Sequence, residues 1–166
     1  MQVAQSIETI SLQPYPKAPF GSTPNALSLS PNGSILYVGN ATNNDVVVID
    51  VSRRRRSIIK GLIPAGWYPT ALAVSGDGKK LYVANAKGLS SKPNKNGPNP
   101  YKKNDETTEY IGRLFNGIVS VVFIPDGKQL NKYTRQVEKN NGFNETSRKL
   151  VEKKQHHTPP YSTTCR

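Results

Sequence analysis

Apolar residues in the first half of the chain come in short bursts separated by turn residues. That is the pattern of consecutive antiparallel strands. Residues 6–12 alternate polar and apolar side chains and predict a first strand. Residues 26–30 predict a second, and Pro31-Asn32-Gly33 predicts a turn in which Gly33 can take positive φ. Residues 35–38 follow, then a turn at Thr42-Asn43-Asn44, then the β-branched run 45–51. Asp45 and Asp50 start and end that run, so they are expected to face turns and not to form a catalytic pair. Residues 57–63, 71–74 and 80–84 continue the series. The stretch 87–115, rich in Lys, Asn, Gly and Pro, interrupts it, and 117–123 resumes it. Beyond Pro125 the period changes: Leu130, Tyr133 and Val137 recur at helical spacing within 126–140. Residues 144–155 predict a second short helix, capped by Asn144 or Thr146. Residues 156–166 read as tail or linker.

The chain says one thing twice, 45 positions apart. Residues 23–40 read TPNALSLSPNGSILYVGN and residues 68–85 read YPTALAVSGDGKKLYVAN. Nine of the 18 positions are identical: Pro24/Pro69, Ala26/Ala71, Leu27/Leu72, Ser30/Ser75, Gly33/Gly78, Leu36/Leu81, Tyr37/Tyr82, Val38/Val83 and Asn40/Asn85. A repeat of this length, made of short β segments and Gly turns, is the signature of a propeller blade. Asn43 and Asn116 lie 73 apart, so the second repeat carries an insertion of about 28 residues between its second and third strands. The expected fold is all-β: a partial β-propeller of about two four-stranded antiparallel blades over residues 1–125, with an insertion loop at 87–115. A basic helical segment and linker follows over 126–166. Leu27, Leu29, Leu72 and Val74 are expected in the core region. Two blades cannot close a ring, so a fragment of something larger is expected, with apolar sheet faces open at both ends.

Composition bears on the second half. Only 35% of residues are hydrophobic, the mean hydropathy is −0.58, and Gly and Pro number 13 each. The net charge is +12, but residues 1–50 carry −2, so the remainder carries +14. Such an excess suits nucleic acid, anionic surfaces or acidic partners, and it equally suits a solvated tail. Cys165 is the only cysteine, so no intrachain disulfide is possible. The N-terminus lacks the basic start and apolar core of a signal peptide, and no apolar run reaches membrane-spanning length.

Gly21-x-x-Pro24 and Gly66-Trp67-Tyr68-Pro69, each followed by A-L-x-x-S-x-x-G and then L-Y-V-x-N, resemble the YVTN-type β-propeller repeat from Gly21 to about Pro125. The stretch GLIPAGWYPTALAVSGDGKKLYVANAKGLSSKPN, with YIGRLFNGIVSVVFIPD and YTRQV, is similar to bacterial proteins in which such a propeller precedes an alkaline-phosphatase-superfamily phosphoesterase domain. The resemblance implies a non-catalytic scaffold or binding module. Its partners would be the rest of its propeller and a following phosphoesterase-like domain. It also implies a periplasmic or extracellular location. No Ser/Thr nucleophile beside Asp/His ligands is present, so no catalytic residue and no metal ligand carries over, and no cofactor is expected. Two rival readings are a part of a phosphoesterase and a basic nucleic-acid binder.

The candidate binding residues are Trp67, Tyr68, Tyr101 and Tyr110. Trp67 and Tyr68 stand in the connection between repeats, where they either meet a ligand or a neighbouring domain or wedge the blades together. Strand alternation places that connection and the 87–115 insertion on one face, and Arg53-Arg54-Arg55-Arg56 on the other. Within the insertion, Gly and Pro break regular structure and lysines solvate it. Tyr101, Tyr110, Ile111, Leu114 and Phe115 become apolar as the chain returns, which suggests a mobile tip and an anchored base, the alternative being a disordered spacer. The four arginines lack interleaved aromatics and are read as a solvated hairpin turn. His156 and His157, without acidic or Cys neighbours at ligand spacing, make a poor metal site.

Overall fold

The structure, a computed structural model, describes residues 6–143 except 16, 17, 19, 20, 91, 92, 104 and 107. Four strands, β1 (Pro24–Leu29), β2 (Ile35–Asn40), β3 (Asp45–Asp50) and β4 (Ile58–Pro64), form one antiparallel sheet in chain order. A second antiparallel sheet is β5 (Pro69–Val74), β6 (Lys80–Asn85) and β7 (Ile118–Phe123), also in chain order. A helix, α1 (Gly127–Asn140), follows β7.

The internal repeat holds at the level of single hydrogen bonds. In the first tight turn, the Gly33 N–H donates to the Ser30 carbonyl at 2.8 Å; in the second, Gly78 donates to Ser75 at 2.8 Å. Both glycines take φ near +69°, a conformation that costs a residue with Cβ but not glycine. The Ser30 hydroxyl bonds Asn32 and that of Ser75 bonds Asp77. The ladder skips a residue after Pro24 and, at the same place, after Pro69. A bulge there suits proline, which has no N–H to give the ladder.

Alternation along the strands sorts two layers. Between the sheets lie Tyr37, Val46, Val48 and Ile63 from the first and Leu81 and Val83 from the second, with Leu72 and Val74 against them. On the far side of the first sheet, Val38, Val47 and Ile49 are covered by Ile10 and Leu12. The helix closes the outer flank of the inner layer. Its apolar stripe buries Leu130 and Val137, worth roughly 1.5–3 kcal/mol each. Asp126 caps it by accepting from the Gln129 N–H at 2.7 Å. The Thr134 hydroxyl accepts from the Leu62 N–H at 2.9 Å and donates to the Leu130 carbonyl, which ties α1 to β4. Gly61 lets the helix come this close, since a Cβ there would stand 2.7 Å from Thr134 Oγ1 and 2.8 Å from Leu130 Cγ.

Four expectations change. Residues 6–12 form no strand: they lie on the first sheet through Ile10 and Leu12, and Glu8 accepts from the Ser57 N–H and hydroxyl. The second sheet has three strands among the described residues, not four, because after Phe123 the chain enters the Asp126-capped helix, which packs on β4. Leu27 and Leu29 are outside the core, at 67% and 54% exposure. Ala26 and Ser28 face the second sheet, where the Val74 N–H donates to Ser28 Oγ, and the two leucines lie on the opposite face, on which no second sheet packs among the described residues, unlike their mates Leu72 and Val74. Asp45 is buried instead of facing a turn, whereas Asp50 is a turn residue bonded to Ser52. The helix expected at 144–155, and His156, His157 and Cys165, lie outside the described residues.

Candidate functional site

The connection from β4 to β5 repeats the backbone that precedes β1. Ala86 donates to the Tyr68 carbonyl at 3.0 Å as Ala41 donates to Thr23 at 3.0 Å, and Lys87 donates to Trp67 as Thr42 donates to Ser22. Tyr68 takes φ +64° where Thr23 takes +51°. Left-handed backbone costs a residue with Cβ about 1 kcal/mol or more. Here the paired carbonyl holds it, and at Tyr68 so does an N–H bond to Asn44 Oδ1 at 2.8 Å. The loop shape thus belongs to the repeat. What the second repeat adds is its side chains.

Those side chains gather at one end of the sheets. Trp67, a third exposed, borders a polar cleft of about 190 Å³ lined by Asn43, Asn44, Leu89 and Asn141. Its N–H donates to the Gly88 carbonyl at 2.6 Å, which joins the loop to the start of the insertion. Lys87 Nζ lies 4.5 Å from the Tyr68 ring centroid and 5.8 Å from that of Phe115. A cation between two rings attracts both, by about 0.5–1 kcal/mol at an exposed site. Arg53–Arg56 occupy the β3–β4 turn at the opposite end of those strands, closed by Arg56 N–H donating to the Arg53 carbonyl.

The structure therefore unites Trp67 and Tyr68 with Lys87 and Phe115. It does not unite them with the other two predicted residues. Tyr101 is 94% exposed, and Tyr110 is largely exposed beside a short 3-10 turn, Ile111–Leu114. The insertion closes on itself through Glu109, whose N–H donates to the Asn96 carbonyl at 2.7 Å and whose carbonyl accepts from Asn94 Nδ2. Lys87 was missed because one lysine in a Lys-rich stretch carries no signal of its own.

A second group was also missed. Asn40 Nδ2 donates to the Asp45 carboxyl at 3.0 Å, with both residues buried. Burial pushes the Asp45 carboxyl up to about 7, against the hydrogen bond, which lowers it. Asn40 Oδ1 has no partner among the described residues, and neither does Oδ1 of its repeat mate Asn85. Asn85 Nδ2 instead reaches the Val83 carbonyl and Ser120 Oγ. The sequence clue was present: the asparagine is one of the nine shared positions, whereas the residue opposite it is Asp45 in one repeat and Ile118 in the other. Asp45 borders a cleft of about 310 Å³ with Leu12, Lys60, Thr134 and Phe143. Among the described residues, no three His, Cys, Asp or Glu side chains gather as a metal-binding group. None of the helices there is long and apolar enough to cross a membrane.

No family model matches the chain, and no curated protein does. Solved structures match it in part. The hydrazine synthase of Kuenenia stuttgartiensis is 29% identical over 46% of this chain and 21% of that chain, with a TM-score of 0.37. A protein of unknown function from Desulfotomaculum acetoxidans is 21% identical over 40% of this chain and 21% of that one, with a TM-score of 0.39. The chain thus spans about a fifth of the length of each of these two structures.

Proposed function

We propose that this chain is a non-catalytic scaffold or binding module built as a section of a β-propeller, with the Trp67 end as its contact face. The observation that supports this most is the stacking of two repeat-related sheets through their first strands, β1 against β5, as neighbouring blades stack around a ring. The chemistry at that end is contact chemistry: an aromatic edge, a cation between rings and amide side chains around a small cleft. By the YVTN-type resemblance, its partners are further repeats and a following phosphoesterase-like domain outside the cytoplasm, and that domain performs any hydrolysis.

Two measurements test this. The purified chain is assayed on a panel of phosphate esters with zinc or magnesium, and no turnover is expected. Metal-dependent turnover abolished by a substitution within residues 6–143 overturns the non-catalytic reading. Trp67 is the only tryptophan, so its emission reports on the face. A phosphoesterase domain from a fusion of the resembled type, added in trans, should shift that emission. Trp67→Phe probed by calorimetry should then bind about tenfold more weakly. No binding by either chain removes the docking role.

A further inference from the structure

The two outward faces of the chain are the two halves of a contact that the chain already makes inside itself. The inner contact is formed by Tyr37, Val46 and Val48 of the first sheet against Leu72, Val74, Leu81 and Val83 of the second. A shift of 45 residues carries Leu27, Leu29, Leu36 and Val38 onto Leu72, Val74, Leu81 and Val83. The first four lie on the outward face of the first sheet, where Leu27 and Leu29 are exposed. The same shift carries Tyr37 onto Tyr82. The 73-residue offset across the insertion carries Val46 and Val48 onto Val119 and Val121. The ladders confirm this register: Tyr37 pairs with Val48, and Tyr82 pairs with Val121. Tyr82, Val119 and Val121 lie on the outward face of the second sheet, the two valines 66% and 54% exposed.

We propose that the outward face of the second sheet takes the outward face of the first sheet of a second copy of this chain, head to tail, in the register of the internal contact. Exposed apolar sheet faces of this kind mark interaction surfaces. A heterologous contact leaves one free face of each kind on the pair, so further copies add until the rotation closes a ring. Inside the chain, β5 meets β1 and β2. The equivalent contact sets β1 of the incoming copy on β5 and β6. The covering segment at Ile10 and Leu12 packs with Leu36, Val38, Val47 and Ile49, so the face free to take the incoming copy is that of the β1 leucines, Leu27 and Leu29. Three differences weaken the new contact relative to the internal one, the first being that Ile63 of β4 and Leu130 of α1, which complete the internal cluster, have no mates among the described residues of the three-stranded second sheet. Ser28 Oγ accepts from the Val74 N–H across the internal contact, and its repeat mate is Ala73. Gly39, which gives Leu72 room, has Ala84 as its mate. The contact is one that this chain makes on its own, since further repeats in a larger propeller would take the same two faces.

The test uses Leu27→Glu for one face and Val121→Glu for the other, with circular dichroism to establish folding and analytical ultracentrifugation to read association. The wild-type chain should associate as its concentration rises. Each variant alone should associate at least about tenfold more weakly. An equimolar mixture should form a discrete heterodimer, because each variant keeps the face the other has lost. A monomeric wild-type chain at high micromolar concentration overturns the proposal. So does a variant that still dimerises alone, which would indicate like faces pairing, and so does a mixture that does not associate. Should either variant not fold, hydrogen exchange on the wild-type chain at low and high concentration decides. Protection gained together at residues 26–29 and 118–123 supports the contact. Protection gained at one segment alone overturns it. Protection of 118–123 already at low concentration also overturns it, since the chain's own remaining segment would then cover that face.

Discussion

Asp45 makes a prediction whose sign runs against the usual behaviour of a carboxylate. Its carboxyl titrates near 3.8 when unfolded and near 7 when folded, because burial disfavours the charge. Between those values the folded chain holds a proton that the unfolded chain has released. The contribution of Asp45 to stability is then most favourable below about pH 4, falls as pH rises and levels off above about pH 7. A displacement of about three pH units at 1.36 kcal/mol each sets a ceiling of roughly 4 kcal/mol, a large share of the 5–15 kcal/mol of a typical domain. Asp45→Asn removes the titration and keeps an acceptor for Asn40 Nδ2. It also adds a donor near Asn40 Oδ1, which has no partner among the described residues. Urea unfolding followed by Trp67 fluorescence, at low micromolar concentration and at several pH values, measures the difference. The variant should match the wild-type chain within about 1 kcal/mol at pH 4 and exceed it by as much as roughly 4 kcal/mol at pH 8. Asp50 and Asp77 are shifted the opposite way by their serine partners, and subtracting the two curves cancels them. Parallel curves from pH 4 to pH 8 would refute the reasoning.

Gly61→Ala should cost about 1–3 kcal/mol in urea unfolding, since its methyl meets Thr134 and Leu130, and hydrogen exchange should show α1 loosening first. Thr134→Val should expose the Leu62 N–H to faster exchange at a cost of about 1–2 kcal/mol. Deleting residues 89–108 and bridging with Gly-Ser should change stability by less than about 1 kcal/mol, because a loop of half the length closes only about 0.6 kcal/mol more easily. A larger loss on thermal unfolding would mean that the insertion supports the sheets.

What the sequence made legible was whatever repeats. The turns at Gly33 and Gly78, the pairing of β1 with β2 and of β5 with β6, and the end at which Trp67 meets the insertion all follow from register. The helix over 126–140 was legible from three apolar residues at its spacing. The exposure of Leu27 and Leu29 was not, because they stand on the same face of their sheet as Leu72 and Val74, and which face meets a second sheet is decided by the neighbour and not by the strand's own residues. Residues 6–12 alternate as a strand does, yet alternation records only that one side is covered, and a segment lying across a sheet satisfies it equally. Asp45 stands next to a turn in the sequence, but its side chain belongs to the sheet interior through Asn40. Tyr101 and Tyr110 stay largely exposed among the described residues, and aromatic identity in the sequence does not tell which rings the fold will cover.

The two repeats cross from second to third strand in different ways. The first uses four residues, 41–44, and the second uses thirty-two, 86–117. Three doublings of loop length cost about 2 kcal/mol in closure entropy, and the charge falls on β7 alone. With one ladder partner and this tether, β7 is the strand most easily lost, while β3 sits between two neighbours and is held by a tight turn. The chain is thus graded in firmness from its first sheet to its second. Lys87 and Phe115 flank the yielding crossing, and Trp67 and Tyr68 bond to its start. A partner arriving at that end would meet a crossing that yields more readily than the four-stranded sheet beside it.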